Sequence, residues 1–210
     1  MPKEIRKLKV NKIKSMTVEE VKRFLAAIER SKEQGNSRYL RDRTMFTLMY
    51  LYGLRCLEAA DMTTDDIDMG SSRIYIAAAK NGHSGFYHLK AEIKPLLRQY
   101  LAWRNQQGYK SPALFVSSKT GKFLDTRQVR RLFADYAKDA RIPLDKRHPH
   151  VLRHSIAVHM ADSKVDVAVV QMHLRHKDLR NTMKYFTISS KKRDEIQEKA
   201  LDGDSIANIW

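Results

Sequence analysis

The sequence predicts an α+β fold that is mainly α, with a small antiparallel β-sheet. Three observations point there. Apolar residues recur at helical spacing along most of the chain, and the helix starts carry capping residues. Strand-like alternation is confined to 67–89. At 210 residues the chain is long enough for one well-buried domain with short appendages. Hydrophobic residues make up 42%, enough for a core and too many for a disordered chain.

Residues 1–15 carry Lys3, Arg6, Lys7, Lys9, Lys12 and Lys14 against one acid, Glu4. They read as an arm suited to DNA phosphates, or as a solvated tail. Thr17 and Glu20 form a capping-box pattern, with Met16 and Val21 as its hydrophobic staple. Val18, Val21, Phe24, Leu25 and Ile28 then make one apolar stripe, and this helix is expected to end before Gly35. A second helix over 38–52 holds Met45, Phe46, Leu48, Met49 and Leu51. It is apolar nearly all round and therefore buried, and Gly53 is its left-handed stop.

The sheet comes next. Residues 73–77 alternate, Asn81-Gly82 signals a hairpin turn with Lys80 at its tip, and 86–89 return. His83 and His88 read as surface residues. Pro95 suits the first turn of a helix over 93–107 that buries Leu96, Leu97, Tyr100 and Leu101, with Trp103 packed beside them. Residues 114–117 read as a short core strand and 119–122 as a turn. Asp125 and Gln128 cap a helix with Val129, Leu132, Phe133, Tyr136 and Ala137 on one face. Its other face carries Arg127, Arg130 and Arg131, which would follow a DNA backbone or face water. Three more helices complete the pattern. Pro149 opens the first, and Asp166 caps the second, with Val167, Val170 and Met172 as core. The third runs from Asp178 and delivers Tyr185.

The formal charge of +16 makes a polyanion the first expected partner. The single cysteine, Cys56, excludes an internal disulfide framework and a zinc ribbon, and suits a reducing cytoplasm. No apolar run approaches the ~20 residues that span a bilayer, and no signal-peptide core is present, so a cytoplasmic, nucleoid-associated protein is expected.

The densest chemistry lies in 148–186. His150, Arg153 and His154 fall within little more than one helical turn, His176 follows, and Tyr185 comes nine residues later. A tyrosine hydroxyl titrates near ~10 and needs a proton acceptor to become a nucleophile. A phosphodiester under attack gains negative charge, so fixed cations must already be aimed at it. Arginine's planar fork suits phosphate oxygens, and histidine can move the protons. His150 and His154 at i and i+4 could also face a metal ion. No glutamate follows His150 as it would in a zinc-protease motif, however, and a cation there would repel Arg153. No metal is expected.

These residues resemble the tyrosine recombinases, also called the phage integrase family. His150-Val151-Leu152-Arg153-His154 fits the family's box His-x-Leu-Arg-His. Leu174-Arg175-His176, with Tyr185 nine residues on, is similar to its Leu-Gly-His box, although Arg175 stands where glycine is usual. Gly53-Leu54-Arg55-Cys56-Leu57-Glu58 resembles its first box, Gly-x-Arg-x-x-Glu, and Lys80 matches its hairpin lysine. The resemblance covers roughly 16–190.

It implies a catalytic domain that joins DNA to Tyr185 through a 3′-phosphotyrosine, in integration, excision or inversion. The implied catalytic residues are Arg55, Lys80, His150, Arg153, His176 and Tyr185, with no cofactor. Arg55 and Arg153 would hold the non-bridging oxygens, and His176 would add a hydrogen bond. His150 would accept the tyrosine proton, Lys80 would protonate the leaving oxygen, and Glu58 would orient a neighbour. The expected partner is double-stranded DNA, contacted also by Lys9, Lys12, Lys14, Arg127, Arg130 and Arg131, with a homotetramer on paired sites and no membrane.

The expected layout is a basic arm at 1–15, the catalytic domain at 16–190 and a docking segment at 191–210. The chain is short for the family, with no room in 1–15 for a DNA-clamping domain. In this it is similar to the compact members that invert fimbrial switches, or to mobile-element integrases. A non-catalytic DNA-binding protein on the same fold, or a type IB topoisomerase-like enzyme, is the alternative.

Overall fold

The computed structural model describes residues 13–79 and 82–186. Lys9, Lys12, Lys80, Asn81 and the whole of 191–210 lie outside the described residues. The helices are α1 (Val18–Arg30), α2 (Tyr39–Leu51), α3 (Cys56–Ala60), α4 (Lys94–Gln106), α5 (Thr126–Asp139), α6 (His150–Asp162), α7 (Val167–Leu174) and α8 (Arg180–Met183). The strands β1 (Ile67–Asp68), β2 (Arg73–Ile76) and β3 (Gly85–His88) form one antiparallel sheet in the order β1-β2-β3. The mainly helical α+β class is therefore the observed one.

Local chemistry accounts for most of the helix starts. Thr17 Oγ1 accepts from the Glu20 backbone amide, and Glu20 Oε2 accepts from the Thr17 amide at 2.8 Å, which satisfies two orphan donors at once. Asp125 and Gln128 repeat the device at α5, and Asp166 caps α7 through the Ala168 amide. Pro95 lies in the first turn of α4.

Helix α1 packs on α2 and α5, while α2 also packs on α4 and α6. Their shared core centres on Phe24, Phe46 and Phe133, whose ring centroids are 4.6–5.6 Å apart. Helix α2 buries polar residues as well. Arg41 and Asp42 form an ion pair at 2.7 Å; Arg41 also donates to the Val116 carbonyl, and Asp42 accepts from the Tyr136 hydroxyl. A second, smaller cluster joins Ala157, Val170, Leu174 and Tyr185 beneath the catalytic candidates.

Four expectations are corrected. Val18 is exposed, because the first residue of α1 lies beyond the edge of the core stripe. The paired strands run over 73–76 and 85–88 rather than 73–77 and 86–89, and the pairing ends at Ile76 opposite Gly85, short of Asn81-Gly82. Residues 114–117 are buried but make only isolated bridges, Thr63 with Ala113 and Val116 with Phe123 beside them, and form no strand. Met172 is 67% exposed, on the face of α7 turned away from the core.

Candidate active site

The end of α2 organises the site. Gly53 takes φ +57°, a left-handed conformation that L side chains rarely adopt, and a Cβ there would lie 2.8 Å from Leu174 Cδ2. The glycine therefore stops α2, and its backbone comes close against α7. Its carbonyl is then free to accept from two guanidinium groups, Arg153 Nη1 at 2.5 Å and Arg175 Nη2 at 3.2 Å. Two residues on, Arg55 is the N-cap of α3. Glu58, one turn later and almost fully buried, binds Arg55 Nη1 through Oε1 at 2.6 Å and the Arg55 amide through Oε2 at 2.9 Å.

Helix α6 supplies the middle of the site. The i, i+3, i+4 spacing brings His150, Arg153 and His154 to one face. Arg153 is 1% exposed and also donates to the Leu174 carbonyl. The imidazoles of His150 and His154 meet edge to face with centroids 4.5 Å apart. Helix α7 ends at Arg175 in the left-handed conformation, φ +58°, which turns His176 back towards Arg153. His176 Nδ1 lies 2.9 Å from Thr182 Oγ1. Helix α8 and the 3₁₀ turn Lys184–Phe186 then bring in Tyr185, 9% exposed. Its hydroxyl lies 2.8 Å from His154 Nδ1, and its ring stacks nearly parallel to that of His176, with centroids 6.5 Å apart.

Charge is unevenly balanced here. Burial alone would raise the Glu58 carboxyl, but Arg175, then Arg55 and Arg153, outweigh it and hold the group below its ordinary range. Three guanidinium groups thus face this one carboxylate. Burial, followed by the charges of Arg55 and Arg175, lowers Arg153 to about 9. The group stays protonated at neutral pH, with Nη1 4.0 Å from the Glu58 carboxylate. Burial and the neighbouring arginines also lower His150 to about 4 and His176 to about 3. His154 falls to about 3, through burial and then His150 and Lys184. All three rings are neutral near pH 7 and can accept protons. Burial raises the Tyr185 hydroxyl, while Arg153 and Arg55 pull it back part of the way. It stays protonated until something takes the proton.

The structure brings Arg55, His150, Arg153, His176 and Tyr185 together. Two further members went unassigned in the sequence. His154, not His150, is the hydrogen-bond partner of the Tyr185 hydroxyl, and Arg175 is buried among the catalytic candidates. The pairing of α6 with the Lys184–Phe186 turn, which selects His154, has no local sequence signal. The other histidines have packing or surface roles. His159 bonds the Tyr50 hydroxyl and the Met16 carbonyl, and His83 and His88 are exposed. Among the described residues, no group of three His, Cys, Asp or Glu side chains could hold a metal ion, and no helix is long and apolar enough to cross a membrane. Arg127, Arg130 and Arg131 are exposed along α5, and Arg130 reaches Cys56 beside Arg55. Lys14 is engaged with Asp145 at 2.7 Å.

The sequence model of the phage integrase family matches residues 14–192. The tyrosine recombinase XerA of Pyrococcus furiosus is 31% identical over 189 residues, which cover 89% of this chain and 62% of that protein. The type 1 fimbriae regulatory protein FimE of Escherichia coli K12 is 30% identical over 147 residues, 69% of this chain and 73% of that one. Among solved structures, a XerA recombinase superposes with TM-score 0.71 at 23% identity, covering 89% of this chain and 64% of that one. A XerH site-specific recombinase bound to its difH substrate gives TM-score 0.75 at 24% identity, over 89% of this chain and 54% of that one. The chain thus spans less than two thirds of the length of the XerA relative.

Proposed function

The chain belongs to the phage integrase family, and we propose that it is a site-specific recombinase that breaks and rejoins DNA strands through Tyr185. One observation carries the reading: a protonated, buried tyrosine hydroxyl bonded to a neutral imidazole, beside guanidinium charge in excess of its carboxylate. In the proposed step His154 takes the phenolic proton, and the tyrosine oxygen attacks the phosphorus. The bond from phosphorus to the 5′ oxygen breaks, and that oxygen takes a proton from Lys80. A 3′-phosphotyrosine and a free 5′ hydroxyl result, and the reverse attack by a 5′ hydroxyl reseals the strand.

Arg55 and Arg153 hold the two non-bridging oxygens and supply the counter-charge that the transition state needs. His176 adds a hydrogen bond, and His150 orients and insulates His154. The phosphotyrosine conserves the energy of the broken bond, so neither a metal ion nor a nucleotide is consumed. The exposed arginines of α5 and the lysines at 9, 12 and 14 track the duplex backbone. XerH and the Tn1549 transposon integrase are proteins of this shape solved with DNA. We further infer cytoplasmic action on nucleoid DNA and assembly of four copies on two paired sites.

The test is covalent capture. Incubated with a nicked duplex bearing its site, wild type is expected to give a DNA adduct on a denaturing gel that persists in EDTA. Tyr185→Phe is expected to give none. An adduct in the Phe variant, or loss of the wild-type adduct in EDTA with recovery on adding zinc or magnesium, overturns the reading.

A further inference from the structure

Arg175 is an improbable residue for its position. It adopts φ +58°, a left-handed conformation that a residue with a Cβ enters only under strain. Its guanidinium is wholly buried, and its Nε has no hydrogen-bond partner among the described residues. Glycine would meet the backbone demand without either cost. What the side chain gains is a set of contacts shared with the two phosphate-binding arginines. Arg175 Nη2 donates to Glu58 Oε2 at 3.1 Å, the same oxygen that accepts from the Arg55 amide. It also donates to the Gly53 carbonyl, which Arg153 Nη1 uses as well. Arg175 Nη1 donates to the Tyr52 and His173 carbonyls, and the guanidinium lies 5.6 Å from the centre of the Tyr87 ring on β3.

The same residue meets the connection that carries Lys80. A Cβ at Gly82 would lie 3.2 Å from the Arg175 carbonyl, and the Ala79 amide donates to Glu58 Oε1 at 3.3 Å. One carboxylate and one buried guanidinium therefore tie together the start of α3, the end of α7 and the base of the 77–84 connection.

We propose that Arg175 is a positioning residue, which occupies Oε2 of Glu58 so that Arg153 is not drawn onto that carboxylate and keeps its place and its charge for the scissile phosphate. The physical reason is competition. Glu58 is the carboxylate beside all three guanidinium groups, and Arg153 Nη1 is already 4.0 Å from it. Arg55 already holds Oε1 at 2.6 Å; without Arg175 the carboxylate would draw Arg153 onto Oε2 as well and neutralise part of the charge that an attacked phosphate requires. Arg175 itself touches no substrate.

This inference rests on the proposed strand-breaking reaction, and the test separates the two. Single-turnover cleavage of a nicked duplex is measured at saturating protein, alongside DNA affinity by titration and the melting temperature, for wild type, Arg175→Gly and Arg175→Lys. If wild type forms no adduct, the reaction itself is wrong and not merely the role of Arg175. With an active wild type, Arg175→Gly is expected to slow cleavage at saturation by on the order of 10- to 100-fold, as small misplacements of catalytic groups do. Affinity should change less than about threefold, because exposed cations dominate DNA binding. Arg175→Lys, which restores the charge but not the fork, is expected to recover part of the rate. Should Arg175→Gly fail to fold, the lysine variant carries the same comparison against wild type. Unchanged cleavage at saturation overturns the inference. So does a joint fall of rate, affinity and melting temperature that lysine does not relieve, since that would make Arg175 a packing residue only.

Discussion

Tyr185 and His154 divide one task between opposite effects of burial. Burial keeps the phenol protonated and keeps the imidazole neutral, so the proton starts on oxygen, 2.8 Å from a ring nitrogen that accepts it in the tautomer protonated at Nε2. His154→Phe, which keeps the bulk and loses the acceptor, is expected to cut the single-turnover cleavage rate by roughly 10²- to 10⁴-fold, the usual worth of a general base. His150→Phe should cost less. Initial rates on the nicked duplex decide between them, and equal losses would return the acceptor role to both rings. The same burial predicts how stability depends on pH. His150 and His173 fall to about 4, and His154 and His176 to about 3, against about 6.5 in an unfolded chain. Between those values the unfolded state takes up protons that the fold refuses, so stability is full above pH 6.5 and is lost as the pH falls towards 3. Glu20 and Glu58, lowered from the ordinary carboxylate value, act in the same direction. The melting temperature of the free protein should drop steadily from pH 7 to pH 4; a flat profile would contradict the neutral-ring reading. Residue identities were legible at this scale, and residue pairings were not. Spacing put His150 and His154 on one face, but which ring meets the phenol depends on where a distant turn delivers Tyr185.

Among the elements, those decided within a few residues were legible. Both capping boxes, the stop at Gly53 and the Asp166 cap form where the sequence places them, because each is a contact between neighbours. The sheet connection and the 114–117 segment were read less well. Asn81-Gly82 favours a tight turn locally, yet the pairing of β2 with β3 ends at Ile76, and beyond it Ala79 donates to Glu58 while Gly82 approaches the Arg175 carbonyl. Residues 113–116 are held by Tyr100, Arg104 and Arg41 donating to backbone carbonyls rather than by a strand partner. Gly53 is where local and tertiary demands coincide, which makes it the sharpest test at this scale. Gly53→Ala must adopt a left-handed φ and push its Cβ against Leu174. A loss of about 2 kcal/mol or more is expected from strain and overpacking together. Thr17→Ala, which removes one cap, should cost about 1 kcal/mol. Urea midpoints at constant slope measure both, and a Gly53 variant no worse than the Thr17 variant would show that the close approach is dispensable.

At the scale of the whole molecule, an apolar surface is left exposed beside the site. Val169 and Met172 on α7 and Met183 on α8, with Leu179 just before it, are between 41% and 67% exposed. Scattered apolar exposure is ordinary, but these four belong to the two short helices that lead into and out of the left-handed turn at Arg175 and on to Tyr185. A partner resting on them would therefore touch Met183, two residues before Tyr185. We infer an occupant in 191–210, whose larger apolar residues are Ile196, Leu201, Ile206, Ile209 and Trp210. If this segment from one copy covers α7 and α8 of another, four copies close a ring, and each active site is held by its neighbour. A truncation after Ser190 is then expected to bind a single DNA site with affinity near that of the full chain, and to cleave a nicked duplex. It should fail to form the paired-site complex in a mobility-shift assay and fail to complete strand exchange. Met172→Glu with Met183→Glu, which charges the receiving face and leaves the tail intact, should reproduce that failure. Normal recombination by either protein would mean the apolar face serves no assembly, and a truncation that no longer folds would mean the segment packs on its own subunit.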